Sequence, residues 1–537
     1  MGRAFGPVLC GAALCVMMPM ALTAQSQSAS PAPLSVIDWL DKPVPAAQLP
    51  RAPQVTAVAP RRLNEPAVAS SGTVPQITTR QLEDSAQQDV GLVPPAITGI
   101  QPDLWSGSDV SVIAGRIADM PQLDLPAANA LLYTVLLAEA AAPSGGLAAL
   151  DRLSIARIEK LMELGAVDPA LALAEQAGAP TSPVLFDLWA ELSLLVGTED
   201  TACAALSREP HLTQDMGLRI FCAARNGNWD TAALTFGSAR ALSLLPRQTL
   251  DVLDRFLNPD LFEESPPLPV PRSMDPLTFR LFETIGEPLP TGPLPRTYAV
   301  ADLRDIAGWK SQLEAAERLT RAGALPDNRL LGLYTDRQPA ASGGIWDRVR
   351  AIQRFDTALS AGSSDAVAKT LPDAWNEMHN NALEVSFAAV FQERLAPVSL
   401  SGRAAELQAR VGLLSPDYET VAANLPDTLS LGDDTALMHA VARGDVETTT
   451  FGIPPDTALP RAIYDAFSTP RPREDWIAMA RAGRLGEALL ETLYALQDGA
   501  RGDSLGLRDA LGTLRALGLE DTARRAALQI LLLERAP

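Results

Sequence analysis

From about residue 104 onward, apolar positions recur at the three-to-four-residue spacing of a one-sided helix. "AANALLYTVLLAEA" (127–140), "SIARIEKLMELGA" (154–166), "PALALAEQAGA" (169–179) and "PVLFDLWAELSLLVG" (183–197) each predict a helix of ordinary length with one greasy face. Gly or Pro marks nearly every junction between them. The rhythm resumes near Val300 and closes with "LEDTARRAALQILLLERA" (519–536). Between these runs, the Pro-rich stretch 258–298 reads as a connection between two helical lobes, with room for a short helix at 276–285. Residues 25–94, rich in Pro, Ala, Ser, Thr and Gln, read as a flexible arm. Pro at that density blocks helix and central strand, and so few apolar groups do not offset the entropy of ordering the chain. Two apolar islands interrupt the arm. The first, "LSVIDWL" (34–40), carries Val36, Ile37, Trp39 and Leu40; the second is "VGLVPPAITGIQPDLW" (90–105). Each reads either as a docking motif for another protein or as a segment that packs on this chain's own helices.

A template recurs within the helical part: Gly, an apolar residue two later, Ala at +5, a packing residue at +9 and a small residue at +12. Gly227, Trp229, Ala232, Phe236 and Ala239 fit it, as do Gly165, Val167, Ala170, Ala174 and Ala177. Gly483, Leu485, Ala488, Thr492 and Ala495 make a third copy; Gly518, Ala523, Ala527 and Ile530 make a fourth, with a partial copy at Gly197, Ala202 and Leu206. The spacing encodes a helix that ends in a left-handed turn, followed by a second helix whose small residues admit a close neighbour. The residue at +2 is expected to pack back over the turn. Pairs of this kind leave one side uncovered, so they stack. The expected fold class is all-α, a superhelical α-solenoid of antiparallel helix pairs.

The half-motif resembles the second half of the tetratricopeptide repeat, whose Gly, aromatic, Ala, aromatic and Ala positions fall in the same order. The leading half departs from it, because Met216, Arg219 and Ile220 stand where a Trp-Leu-Gly group belongs. "LSVIDWL", "RIFCAARNGNWDTAALTF" (219–236) and "GLYTDRQPAASGGIWDRV" (332–349) are also similar to stretches of bacterial secreted proteins, some of which bear the label antifreeze glycopeptide polyprotein. That label describes tandem Ala-Ala-Thr arrays. This chain has none, so the resemblance implies export but not that activity.

Composition narrows the picture. The chain has 537 residues, enough for more than one core. Aromatics are only 5% and the β-branched residues do not alternate, which favours helix over sheet. The formal net charge of −20 repels phosphate backbones at long range and argues against nucleic acid as a partner. At the N-terminus, Arg3 precedes an apolar run ending near Leu22, and small residues then lead to a polar stretch. This is the layout of a signal peptide (1–24) cleaved after Ala24, with an uncleaved anchor as the alternative. Cleavage leaves no membrane span and places the chain in the periplasm or outside the cell. It also leaves two cysteines, Cys203 and Cys222, which in an oxidising compartment read as a disulfide. The expected organisation is therefore 1–24, 25–94, a lobe at 95–257, the connection 258–298 and a second lobe at 299–537.

Motifs for catalysis, cofactor or metal are missing from the sequence. There is no phosphate-binding GxxxxGK[ST], no HExxH and no GxSxG. His211, His379 and His439 are far apart along the chain. Glu264 lies in an "EES" triplet of the sort found in lytic transglycosylases, but "PPLPVP" follows and prevents the helix that chemistry needs. One loop qualifies as a ligand candidate. Ser342, Gly343 and Gly344 open a helix whose free N–H groups, with Arg337 and Arg348, would hold a carboxylate or phosphate; Tyr334 and Trp346 would stack on a sugar or peptide. Trp346 buried between repeats is the alternative. The functional expectation is a non-catalytic interaction or scaffold protein for an envelope protein or peptide. Binding or remodelling of peptidoglycan is the rival.

Overall fold

In a computed structural model, the structure describes residues 89–533 apart from 144, 427 and 447–453. The expected signal segment and the "LSVIDWL" island lie outside the described residues. Helices dominate; the exception is a two-residue antiparallel pairing of Asp89–Val90 with Ala140–Ala141. Short polar side chains start several helices where the sequence places them. Asp109 accepts from the backbone N–H groups of Ser111 and Val112, and Asp215 from those of Gly217 and Leu218. Each satisfies donors that the first helical turn leaves open.

All five template glycines sit in the left-handed region at bends between consecutive helices. They join Leu147–Leu164 to Val167–Gln176, Phe186–Val196 to Glu199–Arg208, and Met216–Arg225 to Trp229–Ala241. Toward the C-terminus they join Glu474–Arg481 to Leu485–Ala500 and Ser504–Ala516 to Glu520–Leu532. The alanines at +5 (Ala170, Ala202, Ala232, Ala488 and Ala523) are all buried, as the close-approach argument requires. Cys203 and Cys222 form a disulfide, with Cα atoms 4.8 Å apart, between Glu199–Arg208 and Met216–Arg225.

Three features differ from the sequence expectation. Packing begins at Val90, inside the stretch assigned to the arm, because Val90 and Val93 are buried and Arg157 reaches across to them. The Arg157 guanidinium donates to the carbonyls of Leu136 (2.6 Å), Val90 (2.7 Å) and Ala138 (2.9 Å). The Pro-rich connection contains the short helix expected at 276–285, but it is packed into the core rather than standing between two lobes. Its helix Pro276–Thr284 buries Leu277, Phe279, Leu281 and Phe282 and lies against Phe186–Val196. Tyr298 follows, buried in the 3-10 turn Arg296–Leu303, and donates to the Met274 carbonyl at 2.9 Å.

The third difference is end-to-end packing. Pro126–Leu137 packs against Leu485–Ala500 and Glu520–Leu532. The backbone N–H of Gly107 donates to the Gly483 carbonyl (3.0 Å), and that of Gly486 to the Leu104 carbonyl (2.9 Å). Gln529 Oε1 accepts from the Ala127 N–H at 2.9 Å, and Trp105 is fully buried against Gly486. Glu520–Leu532 also touches Arg403–Leu414, Thr435–Arg443 and Ala458–Ser468. Stacking on sequence neighbours is thus only part of the core; the last helix is shared by segments far apart along the chain.

Candidate interaction surface

The loop singled out in the sequence divides into a buried part and an exposed part. Tyr334 lies on Asp327–Asp336, 1% exposed, and its hydroxyl donates to Glu317 Oε1 at 2.8 Å. Arg348 meets the same carboxylate with two N–H groups, at 2.6 and 2.7 Å. Burial, reinforced by the adjacent Glu317 carboxylate, holds the Tyr334 hydroxyl well above its ordinary pKa. Tyr334 and Arg348 therefore bind three helices together, and neither presents a face to a ligand. The other residues remain near the surface. Arg337 pairs with its neighbour Asp336 at 2.9 Å. Ser342, Gly343 and Gly344 are exposed, and Trp346 is half-buried with its ring 5.1 Å from that of Trp309. The helix start does hold a carboxylate, but it is the chain's own: the Gly343 N–H hydrogen-bonds Asp347 and lowers its pKa.

A cleft the sequence reading did not find lies nearby, with a volume of about 440 Å³. Arg321, His379, Asn381 and Glu384 line it. His379 Nδ1 stands 2.9 Å from Glu384 Oε1, the Trp375 ring stacks beside the imidazole, and Ala382 adopts φ 54°. A carboxylate behind a histidine orients the ring, yet among the described residues no hydroxyl or thiol lines this cleft to serve as nucleophile. His439 lines a different cleft, and His211 is exposed beside Glu209. Among the described residues, no cluster of three or more His, Cys, Asp or Glu is placed to hold a metal.

The most distinctive surface lies on Trp229–Ala241, the second helix of the best template copy. Its sequence gives it a narrow buried stripe of Ala232, Phe236 and Ala239, and no neighbouring helix covers the opposite side. Leu234 is 74% exposed and Leu242 68%. Leu490 occupies the same template position as Leu234, seven residues after the glycine, and is fully buried between neighbours. Trp229, expected to fold over the turn, is 51% exposed, with its ring 6.1 Å from Phe256. Beyond the helix, Ser243 sits at φ 54°, a left-handed conformation that costs a residue with a Cβ roughly 1–2 kcal/mol. The turn it makes leaves both Leu242 and Leu244 exposed. Leu261 and Val270, in the following connection, are exposed as well. Elsewhere on the described chain Ile97, Val112, Val184, Ile306 and Leu505 are exposed singly, whereas Trp229, Leu234, Leu242 and Leu244 fall close together in sequence, which marks this segment as a candidate contact surface. The sequence signal was present in the apolar outer positions 229, 234 and 242, but it is indistinguishable from an ordinary repeat helix until the missing neighbour is seen.

No helix of the described residues is long and apolar enough to cross a membrane. No family model, curated protein or solved structure matches this chain.

Proposed function

We propose that the chain is an exported, non-catalytic interaction protein built from tetratricopeptide-like helix pairs arranged as a solenoid. It captures an apolar segment of an envelope protein on the outer face of Trp229–Leu244. One observation carries the reading: Trp229–Ala241 has the template of an internal repeat, yet Leu234, at the position where Leu490 is buried, is open to solvent. A helix or strand laid there would supply the neighbour that Leu490 has and Leu234 lacks. Export follows from the N-terminal layout, and the Cys203–Cys222 bridge is compatible with an oxidising compartment. The acidic balance of the chain argues against nucleic acid as the occupant.

The test is capture from an envelope extract by the intact chain, by Leu234→Asp and by Leu505→Asp, an exposed leucine on a different helix. The reading expects one retained protein, lost with Leu234→Asp and kept with Leu505→Asp. Equal capture by all three, or none, overturns it.

A further inference from the structure

We infer that Arg296, Arg318, Arg321 and the Tyr133 hydroxyl form a binding site for a phosphate group. The site shares no residue with Trp229–Leu244 and does not depend on the reading of that segment. Its residues come from three elements. Tyr133 lies on Pro126–Leu137, Arg296 opens the turn Arg296–Leu303, and Arg318 and Arg321 stand at the end of Trp309–Thr320. The Tyr133 ring lies against Gly323, where a Cβ would stand 3.3 Å from its Cε2. The Arg296 stem crosses Gly165, where a Cβ would meet its Cγ at 3.0 Å. Tyr133 and Arg321 are near enough to Arg296 to influence its pKa, and Arg296 and Arg321 do the same to Arg318.

Charge is unbalanced at this point. Arg296 is half-buried and makes no ion pair or hydrogen bond among the described residues. Arg318 donates only to carbonyls, those of Thr291 (3.1 Å) and Leu294 (2.5 Å). Arg321 donates to the Asn381 carbonyl at 2.8 Å and reaches Glu317 Oε2 at 3.3 Å. Of the three guanidiniums only Arg321 meets a carboxylate, and Arg348 already holds that one with two N–H groups. Glu163, which also acts on Arg296, is paired with Lys160 at 2.5 Å. Burial lowers the pKa of Arg296 and Arg318, and the neighbouring arginines lower both further. A surplus of positive charge thus collects on a chain whose net charge is −20.

Tyr133 supplies an independent sign. It is 8% exposed, and its buried hydroxyl has no hydrogen-bond partner among the described residues. Burial holds its pKa well above the ordinary value, so the hydroxyl keeps a proton to donate. A buried donor without an acceptor and a half-buried cation without a counter-charge both cost free energy, and one anionic occupant relieves both. That occupant has to accept from several guanidinium N–H groups and one O–H, and to carry more than one negative charge. A phosphate group offers tetrahedrally placed oxygens for this; a carboxylate offers two in one plane. Arg321 is exposed and lines the 440 Å³ cleft, which gives the occupant a way in from solvent.

The experiment is calorimetric titration of the full chain with inorganic phosphate at pH 8, with ionic strength held constant by chloride. The expected result is saturable binding that Arg296→Met weakens about tenfold or more and Tyr133→Phe about fivefold. Arg461→Met, which removes an exposed arginine elsewhere, leaves it unchanged. Melting temperatures in phosphate-free buffer check that each variant folds; Arg296→Met should melt no lower than the parent, since the cation it removes leaves no partner behind. Should it unfold nevertheless, Tyr133→Phe carries the test alone. A parallel titration with glycerol 3-phosphate separates two sources of the group: comparable affinity assigns the site to phosphate on a larger molecule, and binding of inorganic phosphate alone assigns it to the free ion. No saturable binding of either, an affinity indifferent to both Arg296→Met and Tyr133→Phe, or an equal loss with Arg461→Met overturns the inference.

Discussion

Arg157 illustrates how single residues hold this chain in place. Its guanidinium is buried with three carbonyl partners, and burial pulls its pKa down to about 10, so it stays charged at neutral pH. Arg157→Met keeps the length and abandons three buried carbonyls. We expect a loss of roughly 3 kcal/mol or more in urea unfolding, with the Asp89–Val90 pairing the first to exchange its amide hydrogens. Glu191 is the opposite case. Burial, together with the nearby Asp275, Asp187, Asp215 and Glu159, raises its carboxyl to about 7. A carboxyl whose folded pKa lies above its unfolded value binds its proton more tightly in the native state. It therefore penalises folding increasingly as pH rises from about 4.5 to about 7, and the penalty is complete above that. Glu191→Gln should gain up to about 3 kcal/mol at pH 8 relative to the parent and nothing at pH 4, read from unfolding midpoints across that range. Neither residue was legible in the sequence. Both effects depend on the folded surroundings: the carbonyls of residues 90, 136 and 138 for one, and burial beside carboxylates drawn from several helices for the other.

At the scale of elements, more could be read. The glycine and alanine spacing located five helix-to-helix bends, because a left-handed turn and a Cβ-sized contact are local demands that the sequence states directly. Two of those glycines allow a matched comparison. Gly165 and Gly518 both have φ 85°, but a Cβ at Gly165 would stand 2.5 Å from Leu319 Cδ2, whereas one at Gly518 meets nothing within 4 Å. Gly518→Ala should cost only the backbone strain, about 1–2 kcal/mol; Gly165→Ala should cost about 1–3 kcal/mol more for the overlap, both by urea unfolding. The cysteine pair was legible too, since two residues on helices joined by a short turn come together once those helices lie side by side. Cys203→Ser with Cys222→Ser should lower stability by roughly 3 kcal/mol under oxidising conditions and leave the reduced protein little changed. The candidate loop was legible only by composition. Tyr334 and Arg348 look surface-bound in sequence because their partner, Glu317, sits on another helix.

The arrangement of the whole molecule escaped the sequence almost entirely, because no local pattern announces that Ala127 will bond Gln529. The helix Glu520–Leu532 buries Ala523, Ala526, Ala527 and Leu528 among segments from both halves of the chain. In an open stack, deleting a terminal helix would loosen only its neighbour. Here, ending the chain at Leu517 should expose apolar faces at both ends of the described fold. The expected outcome is a broad, lowered thermal transition and enhanced binding of an apolar dye, against one cooperative transition for the intact chain. Retention of the parent midpoint would show that the end-to-end contact contributes little.

That contact also bears on the order in which the protein can be made. Synthesis proceeds from the N-terminus, so Pro126–Leu137 emerges hundreds of residues before Glu520–Leu532, the helix it must pack against. Throughout that interval Ala127, Ala128, Leu131 and Leu132 lack the surroundings that bury them in the finished fold. A ribosome stalled before codon 520 would therefore display an early helix still waiting for one of its final neighbours.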